Sequence, residues 1–249
     1  MECNAWKNKT VCFLGDSITD GIGVNPAPRY FDLLADEFGF CAHGYGQNGA
    51  PFYGLLAQAQ RMEAELGDRV DAVFLFAGTN DFNGSLPLGE WYRESEQPVV
   101  RARDESGRAV QTELRRMREA VSTPDTFRGS INCVLDFVKH RYARRQIVLM
   151  TPIHRAYACF GPTNIQYDER YANGLGLYID DYTAVVREAA RVWSTELIDL
   201  EQASGLFPRF DESAVYFANA AHDRLHPGPL GHQRLARVIA AKLPSIPLF

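Results

Sequence analysis

Three residue types in this chain could together carry out nucleophilic acyl transfer. Ser17 lies in Gly15-Asp16-Ser17-Ile18-Thr19, directly after the apolar run Val11-Cys12-Phe13-Leu14. Near the other end, Asp223-Arg224-Leu225-His226-Pro227 places a carboxylate three residues from an imidazole. A free serine hydroxyl is a weak nucleophile near neutral pH and needs a base within hydrogen-bond reach. An imidazole titrates close to neutrality, so it can take the serine proton and later return it to a leaving group. A carboxylate on the other ring nitrogen would orient the imidazole and stabilise its charged form. Each residue also has a purely structural alternative. Ser17 could cap a helix, and His226 could be a loop histidine bonded to nearby backbone. Asp223 could cap a short turn, which is compatible with an orienting role.

Positioning these groups is the task of the elements between them. Apolar runs at Val11 to Leu14, Phe40 to Tyr45, Ala72 to Ala77, Ile147 to Thr151 and Leu197 to Leu200 predict five short buried strands. Helical spacing appears in four stripes: Tyr30, Leu33, Leu34, Phe38; Ile131, Val134, Leu135, Val138, Tyr142; Tyr178, Tyr182, Val185, Ala189, Trp193; and Leu235, Val238, Ile239, Leu243. Alternating strands and helices imply right-handed crossovers and a parallel sheet covered on both faces. The expected fold is therefore α/β, a three-layer α/β/α sandwich with a central five-stranded parallel sheet, as one domain over residues 1–249. In such sheets ligands sit beyond the carboxyl ends of the strands. Ser17 follows the first predicted strand, Gly49 the second, Gly78-Thr79-Asn80-Asp81 the third, and Asp223 and His226 come after the fifth. All of these stations fall on one rim.

Two long insertions leave that rim, at about 82–127 and 153–174. The first holds seven arginines and seven acids between Glu90 and Glu119, a balance that fits a solvated helix or arm better than a basic nucleic-acid patch. The second carries His154, Arg155, Tyr157, Phe160, Tyr167 and Tyr171. Loops of this length are usually functional or flexible, which makes both candidates for a lid or substrate wall.

Composition narrows the field further. With 46% hydrophobic and 23% charged residues the chain reads as an ordinary soluble globule. Its formal charge of −5 weighs against nucleic acid as a partner. No stretch approaches the roughly 20 apolar residues of a membrane span. The start, Met1 to Lys7, lacks the apolar core of a secretory signal, so a cytoplasmic protein is expected. Cys3, Cys12, Cys41, Cys133 and Cys159 form no C-x-x-C pair and are expected to be reduced thiols. His222 and His232 lie close to His226, but no H-E-x-x-H or comparable ligand set accompanies them, so no metal site and no cofactor are expected. Gly21-Ile22-Gly23 lacks the pattern of a phosphate loop.

The blocks at Gly15 to Thr19, Gly78 to Asp81 and Asp223 to Pro227 resemble the first, third and fifth blocks of the GDSL/SGNH hydrolases, in the same order and with similar spacing. The second block is poorer, because Gly44-Tyr45-Gly46-Gln47-Asn48-Gly49 lacks the leading asparagine often seen there. Pro87-Leu88-Gly89, Thr126-Phe127-Arg128-Gly129 and Thr151-Pro152 are similar to a bacterial subgroup whose substrates are largely undefined. The resemblance implies a flavodoxin-like sheet, a Ser17–His226–Asp223 triad, and an oxyanion hole formed by the backbone N–H of Ser17, the backbone N–H of Gly49 and the side-chain amide of Asn80. Asp16 and Asp81 are expected to brace these loops by bonding backbone N–H groups, with substrate contact a second option. Arg155, Tyr157 and Tyr171 are exposed-loop candidates for substrate contact. The expected activity is that of a metal-independent serine esterase on a small soluble ester such as an acetylated sugar. A thioesterase, a lysophospholipase and a non-catalytic carbohydrate-binding module on a degenerate hydrolase fold are the alternatives. A homo-oligomer is left open.

Overall fold

The computed structural model describes residues 4–249, so Cys3 and the first two residues lie outside the described residues. From the N-terminal side the elements are β1 (Thr10–Gly15), α1 (Ser17–Asp20), α2 (Tyr30–Phe38), β2 (Cys41–Gly44), α3 (Gly54–Leu66), β3 (Ala72–Phe76), α4 (Thr79–Asn83), β4 (Tyr92–Arg103) and β5 (Ala109–Ala120). They continue as α5 (Phe127–Arg141), β6 (Gln146–Met150), β7 (Ala158–Cys159), β8 (Ile165–Gln166), α6 (Ile179–Trp193), β9 (Glu196–Ile198), α7 (Leu200–Ala203), β10 (Phe217–Asn219), β11 (Asp223–Pro227) and α8 (Pro229–Ala240).

The five predicted strands form one parallel sheet in the order β2-β1-β3-β6-β9. The apolar runs of the three central strands β1, β3 and β6 follow from burial on both faces, while β2 and β9 are partly exposed edge strands. Successive residues of β1 go alternately to two cores: Val11 and Phe13 join α2 and α8 on one side, while Cys12 and Leu14 join α3, α5 and α6 on the other. The four predicted helical stripes fall on α2, α5, α6 and α8, with Tyr142 and Tyr178 at the caps of α5 and α6 and Leu243 in a separate 3₁₀ turn after α8. Counted along the sheet alone, the order is 2-1-3-4-5, so the connection direction reverses between β1 and β3. That switch point is where a crevice opens at the carboxyl ends of the strands, and Ser17 stands directly after β1.

The insertion over 82–127 is an arm, built as a β-hairpin rather than a helix. Strands β4 and β5 pair antiparallel from Tyr92↔Ala120 out to Arg103↔Ala109. Its charges are largely spent on cross-strand and local pairs such as Arg118–Glu94 and Arg101–Glu113. The base is anchored to the body: Trp91 Nε1 donates to Glu188 Oε2 at 2.9 Å, and Asn132 Nδ2 donates to the carbonyls of Trp91 and Val121 at 3.0 Å each. A second small sheet, β10-β11-β7-β8, is antiparallel and sits beside the rim of the main one. Cys12, Cys41, Cys133 and Cys159 are free thiols. No described helix is long and apolar enough to cross a membrane.

Candidate active site

The turn after β1 has a reason for each residue. A Cβ on Gly15 would stand 2.7 Å from the Phe76 carbonyl oxygen and against the Thr19 side chain, so only glycine lets β1 pass this close to β3. Asp16 is the N-cap of α1, its Oδ1 accepting from the Ile18 N–H at 3.0 Å. Burial pushes its carboxyl up to about 6, against that hydrogen bond and the nearby His226. Thr19 Oγ1 lies 3.1 Å from Tyr30 Oη and ties the turn to α2. Gln58, which sequence reasoning did not single out, clamps the turn from α3. Its Oε1 accepts from Gly15 N and its Nε2 donates to Gly15 O, both at 2.8 Å. A buried glutamine on an apolar helix face was the one signal available. Ser17 is thus held at the first residue of α1, 4% exposed, on a turn fixed from three sides.

His226 Nε2 is 2.8 Å from Ser17 Oγ, and His226 Nδ1 is 2.8 Å from Asp223 Oδ2. A carboxylate only accepts, so Nδ1–H donates to Asp223 and the Nε2 lone pair faces the serine hydroxyl. Asp223 and His226 lie on strand β11 rather than in a loop, and residues three apart on a regular strand face opposite ways. The other oxygen of Asp223 resolves this by accepting from the backbone N–H groups of Leu225 (3.1 Å) and His226 (3.0 Å), a local turn that brings both side chains together. Burial works to raise the Asp223 carboxyl, but the hydrogen bond and charge of His226 and the two backbone donors hold it below its ordinary value. It is therefore an anion available to support a positive imidazole. Phe160 covers the ring with its centroid 5.3 Å from that of His226.

Ser17, Gly49, Asn80 and His226 line one cavity of about 330 Å³. Gly49 takes φ 76°, a left-handed conformation that favours glycine, and a Cβ there would meet nothing within 4 Å; backbone conformation, rather than crowding, explains the residue. Asn80 Nδ2 donates one hydrogen to the Ala50 carbonyl at 3.0 Å, which fixes the amide and leaves its second N–H for a ligand. Asp81 is buried behind this loop, its Oδ2 accepting from Phe52 N at 2.9 Å. Burial pushes its carboxyl up to about 7. Asp16 and Asp81 thus act as braces.

Two candidates for substrate contact lie elsewhere. Arg155 is 1% exposed, because its guanidinium reaches Asn83 Oδ1 at 2.5 Å and Gln166 Oε1 at 3.0 Å beneath the surface. Tyr157 is exposed but lines a separate cavity with Asp168, Arg170 and Arg224. The residues that do line the Ser17 cavity and were not assigned from sequence are Ile22, Asn48, Asn164, Gln166 and Leu225. They are ordinary loop residues whose proximity only the fold creates. His232 is a core residue: its Nδ1 accepts from Tyr30 N at 3.0 Å, and burial drives its imidazole down to about 4.

The model of the GDSL-like lipase/acylhydrolase family matches residues 13–234. The chain belongs to that family. Members of the GDSL-like family are hydrolases acting on esters, and the five-stranded sheet described above is the architecture of its solved relatives. A Lactobacillus plantarum protein is similar over 96% of this chain and 98% of its own, with a TM-score of 0.72 at 21% identity. A possible lipase from Chitinophaga pinensis covers 93% of this chain and 96% of its own, with a TM-score of 0.68 at 19% identity. Axe2, an acetylxylan esterase from Geobacillus stearothermophilus, covers 97% and 96%, with a TM-score of 0.56 at 17% identity. At these identities the likeness is one of fold. No curated protein matches the chain.

Proposed function

We propose that the protein is a serine esterase that cleaves a small soluble carboxylic ester, such as an acetylated sugar, through an acyl-enzyme. Ser17 Oγ attacks the ester carbonyl carbon while His226 Nε2 takes the hydroxyl proton. The carbonyl π electrons move onto oxygen, and the N–H groups of Ser17 and Gly49 with the Asn80 amide receive the oxyanion. As the C–O bond to the alcohol breaks, His226 returns the proton to the departing oxygen. Water then attacks the acyl-serine by the same route, His226 acting as base and then as acid, and releases the carboxylic acid. Asp223 keeps the ring oriented and supports its charged form throughout.

The observation that carries this reading is the unbroken relay from Asp223 through His226 to Ser17, with both contacts at 2.8 Å, opening into the Gly49 and Asn80 cavity. The same relay weighs against a binding module on a degenerate hydrolase fold. The apolar part of the cavity consists only of Ile22, Phe160 and Leu225, a short apolar wall that suits a short acyl group. Its described lining includes no lysine or arginine to meet the phosphate of a lysophospholipid or a coenzyme thioester. The similarity of fold to an acetylxylan esterase supports a short acyl group. A series of p-nitrophenyl esters from acetate to decanoate tests the proposal. Rates highest at acetate and falling steeply beyond butyrate are expected; a maximum at long chains would point to a lipase instead.

A further inference from the structure

A second cavity, of about 400 Å³, adjoins the first, and the two share Asn164 and Gln166 as a common wall. The two cavities differ in chemistry. The second is bordered by the exposed rings of Tyr167 and Tyr171, 65% and 56% accessible, with centroids 5.4 Å apart and planes tilted by 45°. Side-chain amides, among them Asn83 and Gln166, line it as well. Its described lining carries no charged side chain.

The amides are fixed from below. Arg155, 1% exposed, donates to Asn83 Oδ1 at 2.5 Å and to Gln166 Oε1 at 3.0 Å, and Asn83 Nδ2 donates to the same Gln166 oxygen at 2.8 Å. The guanidinium itself is packed over Phe82, 5.3 Å from the ring centroid. With its acceptor oxygen occupied twice from inside, Gln166 keeps its N–H groups, held only by a 3.5 Å contact to Asn164, for a ligand acceptor. A buried charge thus orients neutral donors without entering the cleft. Aromatic rings beside preorganised amides, with no ionic group, suit a ligand that is uncharged, flat-faced and rich in hydroxyls.

We propose that this second cavity binds a neutral sugar unit of the alcohol moiety, one residue beyond the esterified one, with Tyr167 and Tyr171 as its platform and Asn83 and Gln166 as its hydrogen-bonding edge. The enzyme would then act on acetylated oligosaccharides in preference to acetylated monosaccharides. This rests on the esterase reading for the adjoining cavity, but sugar binding can be measured without any turnover.

The test titrates unesterified xylotriose and cellotriose into the protein, followed by saturation-transfer NMR, with p-nitrophenyl acetate hydrolysis measured on the same samples. Binding of at least one trisaccharide is expected. The Tyr167→Ala/Tyr171→Ala variant should weaken it about tenfold, the loss of one to two aromatic contacts. The Tyr167→Phe/Tyr171→Phe variant should retain it, which separates loss of the platform from misfolding. Absence of binding to both trisaccharides, or binding that survives in the alanine variant, overturns the subsite whether or not the ester is hydrolysed. Failure of wild-type protein to hydrolyse the acetate, with sugar binding intact, instead counts against the esterase reading alone.

Discussion

Replacing Asp81 with asparagine should remove a pH dependence of stability that the wild-type protein carries. Asp81 is 1% exposed, its Oδ1 has no hydrogen-bond partner, and its Oδ2 accepts only the Phe52 N–H. Burial, with a smaller contribution from the nearby Asp16, raises the carboxyl from 3.8 to about 7 in the folded protein. The folded state therefore holds a proton that the unfolded chain releases at lower pH. The stability this contributes is fully present below the unfolded value and is lost as pH rises through the folded one. A displacement from 3.8 to about 7 corresponds to roughly 4 kcal/mol across that window. Asparagine keeps an acceptor for Phe52 and cannot ionise. Urea unfolding of the two proteins from about pH 4 to pH 8 should show wild type losing up to roughly 4 kcal/mol relative to Asp81→Asn, with a constant difference above and below the window. Because only the difference is read, the titrations of Asp16 and His232 largely cancel. Parallel curves would mean that Asp81 is better solvated than its burial implies, and the account of how the Gly49 to Phe52 loop is braced would fail with it.

Other consequences concern the reaction. Asn80→Ala removes one oxyanion donor and should lower kcat by about 10²- to 10³-fold with little change in KM; a change confined to KM would reassign Asn80 to ground-state binding. Asp223→Asn loses the carboxylate that fixes the His226 tautomer and should lower kcat by up to about 10⁴-fold with the fold intact by circular dichroism; near-normal turnover would make Asp223 a turn residue only. Gln58→Ala deletes both hydrogen bonds to Gly15: the buried N–H loses its side-chain acceptor, while the carbonyl keeps the Gln47 N–H at 3.1 Å. It should lower stability by about 1–3 kcal/mol in chemical denaturation and depress kcat as well. Loss of stability with full activity would show that the turn does not depend on that clamp.

Much of the frame was legible because burial on both faces of the sheet demands unbroken apolar runs, and the cores on either side demand helical stripes. β2 was the weakest of these runs, because Cys41–Gly44 is an edge strand and partly exposed along its length. The arm over 82–127 was less legible: both faces of its ribbon meet solvent, so neither strand alternates apolar with polar residues, and the balanced charges suit a helix equally well. β11 escaped for a related reason. Its pairing partners lie in β7 and β10, and the turn that aligns Asp223 with His226 depends on backbone bonds that residue spacing does not reveal. Arg155 misled by type. Arginine is rarely buried, and its acceptors, Asn83 and Gln166, come from separate segments that only the fold brings together. Ser17, Gly49, Asn80 and His226 do line one cavity, with Asp223 bonded to His226, as loops at the carboxyl ends of one parallel sheet lead one to expect.

Labelling with a fluorophosphonate, followed by peptide mass spectrometry, tests the central assignment most directly. Such a reagent couples to a serine only where a base removes the hydroxyl proton and donors receive the developing oxyanion. The expected result is a single adduct on the peptide that contains Ser17, absent from Ser17→Ala, with loss of p-nitrophenyl acetate hydrolysis in proportion to labelling. Hydrolysis that persists in Ser17→Ala, or an adduct on another serine that abolishes activity, would contradict it.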